Sequence, residues 1–176
     1  MGAQIIHARE DWEGRKKEYK TRMAGAKALT EGGKGKIVDP CRAVALLEAI
    51  IRPGDRVALE GNNQKQAEFL ADCLCKVDPA KVNGLHMVQS VIALPAHCDI
   101  FVRGIAKKVD FSFSGPQAAQ VTRLVNESKM QIGEIHTYLE LFARYFLDLT
   151  PQVSLVVGVL ADKNGNLYTG PNTEDT

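Results

Sequence analysis

The stretch that most constrains this chain runs from Pro53 to Cys75, PGDRVALEGNNQKQAEFLADCLC. Pro53-Gly54-Asp55 has turn chemistry, because proline presets φ and Gly-Asp tolerates a reversal. Val57-Ala58-Leu59 is a short apolar run, broken by Glu60-Gly61-Asn62-Asn63. From Gln64 the apolar residues recur at Ala67, Leu70, Ala71 and Leu74, which is helical spacing. A strand, a polar loop and a helix in that order place backbone N–H groups at the carboxyl edge of a sheet, where open α/β sheets bind ligands.

The same alternation repeats along the chain. Residues 9–29 read as a thinly apolar helix that lies across another surface, and Glu31–Lys36 as a Gly/Lys linker. Residues 1–36 are therefore an N-terminal arm, and 37–176 the compact domain. Asp39-Pro40 starts a helix, with Asp as its cap and Pro at the first helical position. Leu85–Val88 predicts a strand, Pro95 a helix start, Val109–Ser114 an alternating strand, and Gly115-Pro116 the opening of another helix. Met130–Ile135 predicts a fourth strand, and Thr137 caps an amphipathic helix that ends before Pro151. Val153–Leu160 is an almost continuous apolar run, as expected of a central strand buried on both faces. Asp162–Asn166 carries the Asn-Gly signature of a hairpin turn, with Leu167–Thr169 returning. The expected fold is an open, mostly parallel, Rossmann-like α/β sheet with an antiparallel hairpin near the C-terminus. That hairpin wants a further neighbour, so the domain reads as truncated.

Charge narrows the function. The formal net charge is +1, but residues 1–36 hold nine Lys/Arg against five Asp/Glu. The body has no basic stripe of the kind a nucleic-acid partner needs. No segment is long enough for a membrane span and no apolar signal core opens the chain, so a cytoplasmic protein is expected. Cys41, Cys73, Cys75 and Cys98 form no metal-type or redox-type pair, and His7, His86, His97 and His136 show no metal-binding spacing. No metal is expected. Cys98 beside His97 is rejected as a nucleophile pair, since neighbours on a helix point about 100° apart.

EGNNQKQAEFLA, LHMVQS, FSFSGPQAAQ, IHTYLELFARYFLDLTP and DKNGNLYTGPNTEDT closely resemble the amino-terminal part of the malonate decarboxylase alpha subunit family. The resemblance runs from about Ile37 to the last residue. It also extends to the citrate lyase alpha subunit and, more distantly, to CoA transferases, whose fold is a pair of open α/β halves. It implies an acetyl-S-acyl-carrier-protein:malonate transferase, in which malonate displaces acetate from a carrier-protein thioester. No cofactor is then bound directly, because the CoA-like phosphopantetheine group rides on the carrier. The implied partners are the acyl carrier protein and the other malonate decarboxylase subunits, with malonate and an acetyl thioester as substrates.

Three loops are candidates for substrate or prosthetic-group binding: Gly61, Asn62, Asn63 and Gln64; Ser114, Gly115 and Gln117; and Asn172 after the hairpin. His136 is a fourth candidate, able to orient a carboxylate, although a capping or core role is the commoner fate of such a histidine. Some CoA transferases use a glutamate of the second half as nucleophile, but no such motif occurs here. The catalytic residue is therefore unassigned, and this segment alone is expected to be inactive. A non-catalytic module gripping a CoA-like group is the competing reading. A sugar-phosphate isomerase-like enzyme would need a carboxylate–lysine cluster that is not visible.

Overall fold

The computed structural model describes residues 8–30, 36–61 and 67–168. Helix α1 spans Ala8–Leu29 and α2 spans Ala43–Ile50, entered through a 3₁₀ turn at Pro40–Arg42. Asp39 caps that turn by accepting from the Cys41 N–H at 2.8 Å, which satisfies one of the donors a helix start leaves open. Strand β1 (Arg56–Leu59) is followed by α3 (Glu68–Cys75), β2 (Leu85–Val91), α4 (Pro95–Val102) and β3 (Ala106–Phe113). Then come α5 (Ala118–Asn126), β4 (Gln131–Ile135), α6 (Tyr138–Leu147), β5 (Val153–Leu155), and the β6 (Leu160–Ala161) and β7 (Leu167–Tyr168) hairpin.

The five strands β1 to β5 form one parallel sheet in the order β4-β3-β2-β1-β5. Each step from β1 to β4 moves one position toward the same edge through α3, α4 and α5. The β4-to-β5 connection returns across the sheet and sets β5 on the other side of β1. Strand order thus reverses between β1 and β5, which is the topological switch point of an open α/β sheet.

Alternation along the strands divides the sheet into two chemically different faces. Val57, Leu59, Leu85, Met87, Val109 and Phe111 point into the main core with Leu74, Ile100, Phe101, Val121 and Leu124 of α3, α4 and α5. The opposite face carries a small cluster of Val88, Leu141 and Leu149, with Tyr145 of α6 against it. Helix α1 lies outside α2 and is held by Arg22. Its buried guanidinium donates to Asp55 Oδ1 at 2.9 Å, Asp55 Oδ2 at 2.5 Å and the Ile50 carbonyl at 2.6 Å.

One element differs from the sequence reading. Val153–Leu160 is not a central strand: only Val153–Leu155 joins the parallel sheet, at an edge, and among the described residues it pairs there with β1 alone. The chain then turns away through Gly158, so that Val159 and Leu160 are 72% and 61% exposed. The apolar run spans the end of one strand, a turn and the start of the hairpin, and apolarity alone does not mark those boundaries. Helix α3, Glu68–Cys75, carries the predicted apolar positions Leu70, Ala71 and Leu74. Residues 31–35 of the predicted linker, residues 62–66, and Thr169 onward lie outside the described residues.

Candidate functional site

The segment after β2 is where the predicted loops meet. The Val91 N–H donates to the Gly61 carbonyl at 2.9 Å, and the Ile92 N–H donates to the Phe113 carbonyl at 3.1 Å. A β-carbon on Gly61 would lie 2.8 Å from the Val91 carbonyl oxygen and 2.7 Å from His97 Cε1, so glycine permits this close approach. On the other side, Gly115 adopts a φ of +55°, and a β-carbon there would lie 3.0 Å from Val91 Cγ1. Gln117 Nε2 donates to the Ala93 carbonyl at 3.3 Å, so its amide anchors the turn to the end of β2. Gly61, Gly115 and Gln117 are thereby gathered around Val91–Ala93 at the carboxyl edge. Ser114 opens the 3₁₀ turn at Gly115–Gln117. Asn62, Asn63, Gln64 and Asn172 lie outside the described residues.

Glu60 ties this edge to the switch point. It is buried, its N–H donates to the Leu155 carbonyl at 3.0 Å, and its carboxylate accepts from the Val157 N–H at 2.6 Å. Its carbonyl accepts from the Ala67 N–H at 3.3 Å, just before α3. One residue therefore joins the ends of β1 and β5 to the start of α3. Beside it, Ala67, Glu68, Phe69 and Leu70 face Val156, Val157 and Gly158 across an open cleft of about 340 Å³. The cleft has apolar walls and lies at the crevice where sheets of this topology bind ligands.

His136 sits elsewhere. It follows β4 at the opposite edge of the sheet, three strands and therefore roughly 14 Å from β1. It is buried on the face covered by α6, where its Nε2 lies 3.0 Å from Asp110 Oδ1. His86 Nε2 contacts the other oxygen of Asp110. Burial alone would push the Asp110 carboxyl up, but its hydrogen bonds to His136 and His86 hold it below the usual range. Burial pushes the His86 imidazole down, against the opposing pull of Asp110. Thr137, next in the chain, caps α6 by accepting from the Glu140 N–H at 3.2 Å.

The cysteines contribute no activated thiol. Burial raises Cys75 and Cys98 to about 11, far from the lowered values of reactive cysteines.

A family model described as malonate decarboxylase, alpha subunit, transporter matches residues 11–176. The chain belongs to the malonate decarboxylase alpha subunit family. It is 57% identical over 165 residues, 94% of its length, to an acetyl-S-ACP:malonate ACP transferase of Malonomonas rubra. It also superimposes on a crystal structure of a Pseudomonas malonate decarboxylase hetero-tetramer in complex with malonate. That match has a TM-score of 0.89 and 49% identity over 94% of this chain. A crystal structure of the malonate decarboxylase alpha subunit from Acinetobacter baumannii matches with a TM-score of 0.88 and 42% identity over 93% of this chain. The chain spans 29% of the transferase's length, and 30% and 29% of the two crystal chains.

Sequence reasoning passed over Glu60 and Asp110. Glu60 reads locally as an interruption of an apolar run, and only the β1–β5 pairing reveals what it joins. Asp110 is an ordinary outward position of an alternating strand until the β2–β3 register sets it opposite Val88 and near His86. A hint was available: an acidic residue in mid-strand needs buried partners, and two histidines flank the neighbouring strands. Among the described residues no helix is long and apolar enough to cross a membrane.

Proposed function

We propose that this chain is the first α/β domain of an acetyl-S-acyl-carrier-protein:malonate transferase, and that its switch-point cleft is half of the thioester site. The observation that carries this is the 57% identity to the Malonomonas rubra transferase across 94% of the chain. The geometry supports it in two ways. Gly61 and Gly115 let the segments after β1 and β3 close onto Val91 and Ile92, which gathers the predicted loops at one edge. The apolar cleft between residues 67–70 and 156–158 suits the methylene and gem-dimethyl parts of a pantetheine arm. Asn62, Asn63 and Gln64 follow Gly61 in the sequence, and their amides are proposed for a carboxylate or for pantetheine amides.

In this reading a malonate carboxylate attacks the acetyl carbonyl and the carrier thiolate leaves. The thiolate then attacks the malonyl carbonyl of the mixed anhydride and expels acetate, and the resulting malonyl thioester passes to other subunits for decarboxylation. No catalytic residue is assigned here. The proposed partners are the carrier protein and the remaining malonate decarboxylase subunits, in keeping with a hetero-tetrameric relative. A cytoplasmic setting agrees with four unpaired cysteines.

The test mixes labelled malonate with acetyl-carrier protein and either this chain or a family-length protein containing it. Label is expected on the carrier only with the longer protein. Label absent from the carrier in both cases overturns the reading, whereas carrier binding without transfer by either protein supports a binding module.

A further inference from the structure

The Asp110 cluster is built more elaborately than a buried carboxylate needs. Strand β4 pairs Val109 with Ile132 and then Phe111 with Ile135, so Gly133 and Glu134 stand opposite the single residue Asp110. This is a bulge, the device that re-aims side chains at sites. Its glycine is obligatory, because a β-carbon on Gly133 would overlap the Asp110 carboxylate, lying 2.7 Å from Cγ. The bulge brings a ligand atom of Glu134 and of His136 to Asp110, all within 4.8 Å of one another. Asp110 and His136 are almost fully buried, while Glu134 is exposed and opens the group to solvent. His86 approaches from β2 onto the second oxygen of Asp110. His136 has no hydrogen-bond partner for its buried Nδ1, and the nearest carboxylate to that atom, on Glu140, is 3.9 Å away.

We propose that Asp110, Glu134 and His136 form a site for a divalent transition-metal ion of the zinc type, with His86 holding the second oxygen of Asp110. One imidazole and two carboxylates are a three-donor set that zinc accepts, at about 2.0–2.2 Å from each nitrogen and oxygen, with a water in the fourth position. Such lengths hold donor atoms roughly 3–3.6 Å apart in a tetrahedron. The ligand atoms of Asp110, Glu134 and His136 now lie within 4.8 Å of one another, so binding requires them to close in, with the exposed Glu134 side chain the freest to move. Two cations compete for the carboxylates. Lys108 Nζ lies 3.9 Å from Asp110, and Arg144 Nη1 lies 2.7 Å from Glu134. Both pairs have a solvent-exposed member and are individually weak, so an ion can displace them. The bound ion would clip edge strand β4 and the start of α6 onto the sheet, on the face opposite the main core.

The experiment titrates the chelator-stripped 176-residue chain with Co²⁺, read by its visible d–d absorption, and with Zn²⁺, read by thermal unfolding. Saturable uptake of one ion per chain is expected. The Tm should rise by roughly 5–10 °C at a hundredfold excess of Zn²⁺ over its Kd. Glu134→Gln lies on the exposed strand and leaves the fold intact, and it should weaken Co²⁺ binding at least tenfold. His136→Gln should abolish the d–d band. Wild-type chain that takes up no Co²⁺ overturns the proposal. Uptake unchanged by Glu134→Gln also overturns it, since the ion would then sit on other side chains.

Discussion

His97 is fully buried on α4 and faces Gly61, and its Nδ1 accepts from the Ala93 N–H at 3.3 Å. Burial lowers its pKa to about 4, so the folded protein keeps the imidazole neutral. In the unfolded chain the same group takes up a proton near its ordinary value of about 6.5. Between those values the unfolded state binds more protons, so His97 makes stability fall as pH drops from about 6.5 to about 4. The full effect is about 3 kcal/mol. Urea unfolding of wild type and His97→Gln at about pH 7 and pH 4 measures it, and the variant should lose much less stability on acidification. Equal losses in the two proteins would remove His97 from the acid response. Gly61→Ala, by contrast, forces a methyl against His97 and the Val91 carbonyl, and should cost about 1–3 kcal/mol at any pH. An unchanged urea midpoint would mean that the end of β2 yields easily.

Helix α1 is largely polar, packs along α2 with Gly25 against Ala49, and anchors one buried arginine, Arg22, in the domain. Arg22→Ala leaves Asp55 buried with only its bond from the Arg52 N–H at 2.7 Å. The loss should be about 3 kcal/mol or more, as for one partner of a buried ion pair. Hydrogen exchange should show the α1 amides losing protection before those of β2 and β3. Uniform loss across the chain would instead make α1 part of the cooperative core. Helix α6 presents the opposite case. Leu141 alone among its residues is buried, while Leu139, Phe142, Phe146 and Leu147 are exposed along with Tyr138. So large an apolar surface predicts self-association. Sedimentation should show an average mass that rises with concentration and falls toward the monomer in Phe142→Glu/Phe146→Glu. A wild-type chain that stays monomeric throughout contradicts this.

At the scale of the molecule, the alternation of elements was legible because each one carries a local period. Ala67, Leu70, Ala71 and Leu74 report the α3 face, and Val109, Phe111 and Phe113 alternate along β3. Strand order was not legible, because it depends on which apolar faces find each other across the sheet. That order decides the rest: it makes β5 an edge, places Glu60 between β1 and β5, and carries His136 away from Gly61. The edge shared by Gly61 and Gly115 could be anticipated, since both glycines follow strands and precede helices. The Asp110 cluster was only hinted at by a mid-strand acid, because its members come from β2, β3, β4 and the residue after β4 and meet only through register and a bulge. The central claim is that the carboxyl edge at the switch point receives the thioester arm. Titrating isotope-labelled chain with acetyl-pantetheine, and following backbone amide shifts by NMR, tests it most directly. The amides of Gly61, Val91, Gly115 and Val157 should move together and saturate. Shifts confined to α1 or α6, or no saturable shift at those four amides, would contradict it.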